Sequence, residues 1–306
     1  MKPPLSLGRP GRPHRFPPAA VAVVLGMLLW STPASAWCRL TTTGGQGLQP
    51  DKNGCPVGGI PLSWDRRCIA YSLYAGGARD VSPGDLERAI ADSFNAWEQV
   101  TCMGEQVEIR IAESEEPSRC NRALFDLEGG NVNTIMFVED WKARDHDPAA
   151  FALTTVWHDK STGQILDADM EVNENRGTYG NCPALGSCSL IDVRNVITHE
   201  AGHFFGLAHS LEIDSTMFAN APNGEIKKRD LTEDDREGFC DAYPTGSLPK
   251  TCDYAPIGGF DPTCADDTSG CGCRIAGLPQ RTPRLPLLLG AAALALVLLR
   301  RRRPRR

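Results

Sequence analysis

Apolar residues recur with helical spacing in three segments of the chain: 82–100, 189–207 and 231–243. Each segment begins with a hydroxyl residue three positions before an acidic one, which is the spacing of a capping box: Ser82 and Asp85, Ser189 and Asp192, and Thr232 and Asp235. The pattern therefore predicts three helices that begin near these polar residues.

Strand-like stretches lie before and between these helices, at 60–74, 106–112, 133–139, 151–159 and 164–174. The last two flank the sequence KSTG, so they are predicted to form a hairpin. The second arm, DADMEVN, mixes apolar residues with acids. We interpret it as an edge strand with one face in water. Strands with one helix among them, followed by two helices, predict an α/β fold.

Both ends of the chain carry targeting patterns. Residues 1–36 have a basic lead, an apolar run at 19–30 and the sequence PASA, which predicts a secretory signal peptide cleaved after Ala36. A membrane-spanning helix is the alternative, but the run is short for a span of about 20 residues.

The C-terminal pattern is GCGC (270–273), an apolar run at 285–299 and then RRRRPRR. The arginines favour a short transmembrane span over a buried core helix, because positive charge stays on the cytoplasmic side. This order resembles the C-terminal sorting tail of myxobacterial surface proteins, which a membrane protease processes. We therefore expect export to the cell surface or outer membrane, where the tail either anchors the protein or is cut to release it.

The part between these ends is acidic. Four of the 32 basic residues lie in 1–36 and eight in 281–306, whereas all 38 acidic residues lie in 37–280. This balance argues against a nucleic-acid partner, which would need a basic surface. A solvated acidic surface is the favoured interpretation, and Ca²⁺ binding is the alternative.

All twelve cysteines follow the predicted signal peptide, and two of them belong to GCGC. The other ten are an even number in an exported chain, so disulfides are predicted, although their pairing does not follow from spacing. Zinc binding by cysteine is the alternative, but the chain has no C-x-x-C pair. We hypothesise that Cys182 and Cys188 close a small loop and that Cys55 is disulfide-bonded.

The sequence HEAGHFFGLAH (199–209) contains the candidate chemistry. On a helix, His199 and His203 are four residues apart and lie on one face, where both can bind one metal ion. Glu200 can then reach a water on that ion. Gly206 can end the helix in a left-handed turn that brings His209 back to the same ion. Three histidines leave a fourth position open, which is typical of a catalytic zinc site.

This motif, followed by Met217 in STMF, resembles that of the metzincin metalloproteases, H-E-x-x-H-x-x-G-x-x-H with a methionine turn. Ser210 after the third histidine and the LTEDD helix start resemble the matrixin branch. The resemblance implies a twisted mixed sheet, a long active-site helix and a C-terminal helix. Two features depart from the family pattern: Phe218 replaces a tyrosine of some members, and Cys55 does not fit the family's cysteine-switch motif.

The resemblance also implies roles for the residues. Zinc would be bound by His199, His203 and His209, with Glu200 as general base and Met217 as a hydrophobic floor. A protein or peptide substrate would pair with 167–174, and residues 218–231 would form the wall that sets specificity. The isolated histidines are expected to be surface or loop residues, although some matrixins have a second zinc site that they would fit: His146 and His158.

We therefore predict an exported, monomeric zinc endopeptidase, either a general degrading enzyme or a narrow maturation protease. The alternative is a catalytically idle surface binding protein on the same scaffold. The predicted organisation is a signal peptide, an irregular segment, a catalytic domain, a linker and a sorting tail, with these bounds: 1–36, 37–59, 60–246, 247–269 and 270–306.

Overall fold

A five-stranded mixed sheet forms the centre of the computed structural model, which describes residues 36–44, 51 and 54–264. Its order is β2-β1-β3-β5-β4, and β4 runs antiparallel to β5 while the other neighbours are parallel. The predicted α/β fold is confirmed. The strands are β1 (Cys68–Leu73), β2 (Arg110–Glu113), β3 (Thr134–Val138), β4 (Ala152–His158) and β5 (Ile165–Asn173).

Three α-helices accompany the sheet: α1 (Pro83–Glu98), α2 (Val193–Phe204) and α3 (Glu233–Ala242). Helices α1 and α2 pack against each other, and the indole N–H of Trp97 on α1 donates to the Thr198 carbonyl on α2 at 2.9 Å. Aromatic rings from all three helices fill the core around this contact: Phe94, Trp97, Phe204, Phe205, Phe239 and Tyr243. Short 3-10 turns cover Trp141–Arg144, Glu174–Arg176 and Lys227–Arg229.

Two of the three predicted helix starts are confirmed. The Ser82 side chain accepts the Asp85 N–H before α1, and Thr232 forms a complete capping box with Asp235 before α3. The prediction for α2 is wrong, because Asp192 and not Ser189 caps that helix. Residues Ile191–Asp192 are held extended by pairing with Tyr179–Gly180, so the helix begins later.

The assignment of the 164–174 arm as an edge strand is also wrong. Strand β5 lies between β3 and β4, and its Asp167, Asp169 and Glu171 are buried. The backbone N–H groups of Leu124 and Thr134 donate to Asp169. Burial raises the pKa of Asp167 and Asp169 well above the ordinary value. The edge strand at this end of the sheet is therefore β4, and β2 forms the other edge.

Two predicted strands are shorter in the structure than in the sequence pattern. The 60–74 stretch forms a main-sheet strand only over β1, and the 106–112 stretch contributes β2 from Arg110 to Glu113. The other three predicted strands agree with the structure. The 133–139 stretch contains β3, and the 151–159 and 164–174 stretches form the predicted antiparallel hairpin.

Five disulfides pair the ten cysteines outside GCGC: Cys38–Cys55, Cys68–Cys252, Cys102–Cys240, Cys120–Cys264 and Cys182–Cys188. The disulfides predicted for Cys55 and for the small 182–188 loop are confirmed. Two bonds fasten the predicted linker to the domain as far as Cys264, where the Arg119 N–H also donates to the Pro262 carbonyl at 2.6 Å.

The terminal predictions lie outside the described residues, apart from Ala36. This applies to the signal peptide, to GCGC and to the span at 285–299. Within the described part of the chain, none of the helices has both the length and the apolarity needed to cross a bilayer.

Candidate metal centre

Helix α2 presents two imidazoles and one carboxylate to a cleft next to strand β4. The Nδ1 atom of His199 lies 2.6 Å from the Thr216 carbonyl, and Nδ1 of His203 lies 2.8 Å from the Leu207 carbonyl. A ring nitrogen that faces a carbonyl must donate its proton, so each ring keeps Nε2 unprotonated for a metal.

Gly206 turns the chain so that the third histidine meets the other two. Its φ of +87° is a left-handed conformation, and a Cβ there would lie 2.4 Å from the Leu62 carbonyl oxygen. The following residues Leu207–Ala208 pair with Cys38–Arg39, which fixes the direction of the returning chain. His209 then places its Nε2 3.2 Å from Nε2 of His203.

The donor set fits a zinc ion. Candidate ligand nitrogens of His199, His203 and His209 all lie within 4.8 Å of one another. Zinc–nitrogen bonds of about 2.0–2.1 Å in a tetrahedron place ligands about 3.4 Å apart. The Nε2 atoms of His203 and His209 are already 3.2 Å apart, and the widest pair would move closer together around the ion. Among the described residues, this is the one group of three or more His, Cys, Asp or Glu side chains with such an arrangement.

The surroundings keep the three imidazoles neutral. Burial, followed by repulsion from neighbouring His and Lys side chains, lowers the pKa of His199 well below its ordinary value, and burial also lowers the pKa of His203. For His209, the most exposed of the three, desolvation and the adjacent His203 lower the pKa to about 4. Neutral imidazole is the form that binds a metal.

Glu200 is directed into the same cleft by a contact that the sequence pattern did not reveal. The hydroxyl of Thr154 on β4 lies 2.6 Å from Oε2 of Glu200. Burial raises the pKa of Glu200 to about 7, while the Thr154 hydrogen bond and the positive charge of Lys228 oppose that rise. The only sequence signal for Thr154 was its position in a predicted hairpin.

Met217 is buried beneath α2. A Cβ on Gly202 would lie 2.1 Å from the Met217 sulfur, so this glycine makes room for the thioether. The turn that holds Met217 is bound by Asp235, whose carboxylate accepts the Thr216 N–H at 2.8 Å and the Met217 N–H at 3.0 Å. The predicted methionine floor therefore lies directly behind the histidine-bearing helix.

Two further histidines among the described residues lie away from this centre. His146 Nε2 is 3.2 Å from a carboxylate oxygen of Glu171, and its ring contacts Trp141 edge-on. His158 Nδ1 is 3.4 Å from the Val156 carbonyl. The Nε2 atom of His158 is buried without a hydrogen-bond partner among the described residues, and neither histidine belongs to the three-histidine group.

The cleft has a volume of about 550 Å³. It is lined by the start of β4, by the three histidines and Glu200, and by residues 219–221. Lys228 also lines it, although the residue is only 3 % exposed. Burial lowers the pKa of Lys228 to about 8. The sequence placed the specificity wall at 218–231 but did not distinguish Lys228 within it.

Comparisons with known proteins agree with this architecture. The family model for Matrixin matches residues 63–244, which is more than half of the chain. The chain is 26% identical to human neutrophil collagenase over 213 residues, which cover 67% of this chain and 40% of that protein. It is also 26% identical to two Arabidopsis thaliana proteins. Metalloendoproteinase 5-MMP aligns over 56% of this chain and 42% of its own length, and metalloendoproteinase 2-MMP over 57% and 40%. The chain thus spans about two fifths of the length of the curated relatives it matches.

Proposed function

The chain belongs to the matrixin family, and on that premise we propose that it is an exported, zinc-dependent endopeptidase. One observation carries the proposal. The metal-facing nitrogens of His199, His203 and His209 converge beside the carboxyl group of Glu200, in a cleft bordered by the free edge of a sheet. That arrangement can bind an extended peptide, a metal and a water molecule together.

The three histidines would hold zinc through Nε2, while the Thr216 and Leu207 carbonyls keep the rings of His199 and His203 in place. When bound, zinc supplies a Lewis acid that polarises the scissile carbonyl and lowers the pKa of water. With Gly206 setting the return of the chain, all three ligands come from one continuous stretch of eleven residues.

Glu200 acts as the general base. In its ionised form it accepts a proton from the attacking water, and it then donates that proton to the leaving amine. Burial raises the pKa of the Glu200 carboxyl group, which favours the return of the proton to the leaving amine. The Thr154 hydroxyl fixes the orientation of Oε2.

The substrate is proposed to lie along β4. This strand pairs with β5 on one side, and its other side borders the cleft. An extended peptide can add to such an edge through backbone hydrogen bonds. The docking strand is therefore Ala152–His158, in place of the 167–174 segment assigned from the sequence.

The five disulfides support export, because such bonds persist in oxidising compartments. We propose that the signal peptide directs the chain out of the cytoplasm. The 270–306 tail is proposed to hold the protein at the cell surface until a membrane protease processes it.

The test is cleavage of a peptide mixture by the exported protein, with zinc content measured on the same sample. We expect about one zinc per chain, and cleavage that a chelator abolishes. Glu200→Gln should keep the zinc and lose about 10²–10⁴-fold in rate.

If the protein binds zinc but cleaves no peptide, the protease interpretation would be wrong and the idle binding protein would take its place. Cleavage confined to one surface partner would instead identify a narrow maturation protease. A folded sample that binds no zinc would overturn the metal site.

A further inference from the structure

The ammonium group of Lys228 lies buried at the cleft, beside the metal-binding histidines. Its Nζ donates to the Phe218 carbonyl and lies 3.4 Å from Nδ1 of His199. The His199 nitrogen cannot accept a hydrogen bond from Lys228, because it donates its own proton to the Thr216 carbonyl. The ammonium group of Lys228 has three N–H donors, and among the described residues only the Phe218 carbonyl accepts one of them.

None of the described acidic residues forms an ion pair with Lys228, although Glu225, Glu200 and Asp235 attract its charge from a longer distance. Glu225 lies 3.8 Å from the ammonium group of Lys227. Asp235 accepts hydrogen bonds from the methionine turn and from Thr232. Glu200 binds Thr154 and faces the reacting groups. A buried cation without a close counter-ion is costly, and a negative group brought by a ligand would relieve that cost.

A second donor lies beside the lysine. The side-chain oxygen of Asn195 on α2 accepts the backbone N–H of Lys228 at 2.9 Å. This fixes the orientation of the amide, so its nitrogen is the end that remains for a ligand in the cleft that Asn195 lines. Small apolar residues form the walls nearby and leave room for a side chain: Val196, Ala219 and Ala221.

We propose that Lys228, assisted by Asn195, makes this cleft select a substrate whose residue next to the scissile bond ends in a carboxylate. This inference rests on the proposed endopeptidase function. The apolar walls would contact the methylene groups of a glutamate, while the lysine and the amide bind its carboxylate. Charge complementarity of this kind discriminates between side chains of equal shape.

The test uses the full exported protein and a set of peptides that differ at the two positions flanking the scissile bond. Each position carries Glu, Gln or Leu in turn. Because Glu and Gln have nearly the same shape, their ratio reports charge recognition. At one of the two positions we expect kcat/KM to be at least about tenfold higher for Glu than for Gln.

Two variants assign this preference to the lysine. Lys228→Met keeps much of the volume without the charge, so the Glu/Gln ratio should fall towards one and the Leu peptide should improve. Lys227→Met removes the adjacent, more exposed lysine, whose Nζ donates to the Ile213 carbonyl, and should leave the ratio unchanged. Zinc content and circular dichroism are recorded for both.

Binding of the same peptides to Glu200→Gln protein separates this proposal from the proposed function. Selective binding of the Glu peptide without cleavage by the wild type would overturn the protease and retain the recognition role of Lys228. Cleavage without any Glu preference would retain the protease and overturn this proposal. Equal losses of preference in Lys228→Met and Lys227→Met would also overturn it. If Lys228→Met fails to fold, the ratio of kcat/KM for the Glu and Gln peptides in the wild type still tests whether the cleft prefers a carboxylate.

Discussion

The hydroxyl of Thr154 lies 2.6 Å from Oε2 of Glu200 and 3.3 Å from the backbone oxygen of the same residue. One side chain thus connects the proposed docking strand β4 to the turn of α2 that carries Glu200. The strand that is proposed to position the peptide also sets the orientation of the proposed base. In the proposed mechanism, alignment of the substrate and proton transfer would therefore depend on one packing contact.

Replacement of Thr154 by valine should move the acid limb of the kcat/KM profile to higher pH. Glu200 must be ionised to accept a proton, and the Thr154 hydrogen bond stabilises that form. Its loss raises the pKa of Glu200, so ionisation requires a higher pH. We expect a shift of about one unit, the equivalent of one hydrogen bond to a charged group.

The measurement is the pH dependence of peptide cleavage for the wild type and Thr154→Val. Bound zinc lowers the pKa of Glu200 in both proteins, so the difference between the two profiles is the informative quantity. Thr155→Val is the matched control, because successive strand residues point to opposite faces. Coinciding acid limbs for wild type and Thr154→Val would contradict the role of the hydroxyl.

Gly206→Ala should lose both stability and zinc affinity. Alanine in the left-handed conformation costs about 1–2 kcal/mol. Here its Cβ would also lie 2.4 Å from the Leu62 carbonyl oxygen, which forces the chain before His209 to move. Gly104→Ala is the control, since Gly104 has a similar φ of +89° and no heavy atom within 4 Å of the added Cβ.

Urea unfolding and zinc titration of both variants test this explanation. We expect Gly206→Ala to lose at least about 2 kcal/mol more than Gly104→Ala, and to bind zinc more weakly. If the two alanine variants lose the same stability and keep the same zinc affinity, the close approach to Leu62 has no role in the metal site.

Asp235→Asn should destabilise the domain by about 3 kcal/mol or more. The Asp235 carboxylate accepts backbone N–H groups from Thr216, Met217 and Thr232, together with side-chain hydroxyls. The side-chain amide of asparagine would point its own N–H groups at these N–H and O–H donors, so several of the hydrogen bonds would be lost. Glu233→Gln, at an exposed position of the same helix, serves as the control in urea unfolding, and equal losses would refute the explanation.

The disulfides should differ in their contributions to stability. In the loop-entropy account, removal of Cys102–Cys240, which closes 138 residues, costs about 5 kcal/mol. Removal of Cys182–Cys188, which closes 6 residues, costs about 2 kcal/mol. Paired Cys→Ala variants in chemical denaturation compare the two directly. A larger loss at Cys182–Cys188 would show that native-state contacts, not chain entropy, dominate.

Local sequence patterns were sufficient to predict much of the candidate site. Two histidines four apart on a helix must share a face, and a glycine three residues later permits a reversal, so the grouping of His199, His203 and His209 followed from short-range geometry. Capping residues predicted the starts of α1 and α3 for the same reason. The start of α2 was misplaced because a distant strand pair holds Ile191 and Asp192 extended.

Long-range packing decided what the local patterns left open. Acids along β5 indicated an exposed edge, but pairing with β3 and β4 buries them and leaves β4 free. The contacts that tune the site join residues 46 and 29 positions apart, Thr154 with Glu200 and His199 with Lys228. Helical and strand periods report only which neighbours share a face. Partners brought together by the tertiary fold leave no such period in the sequence.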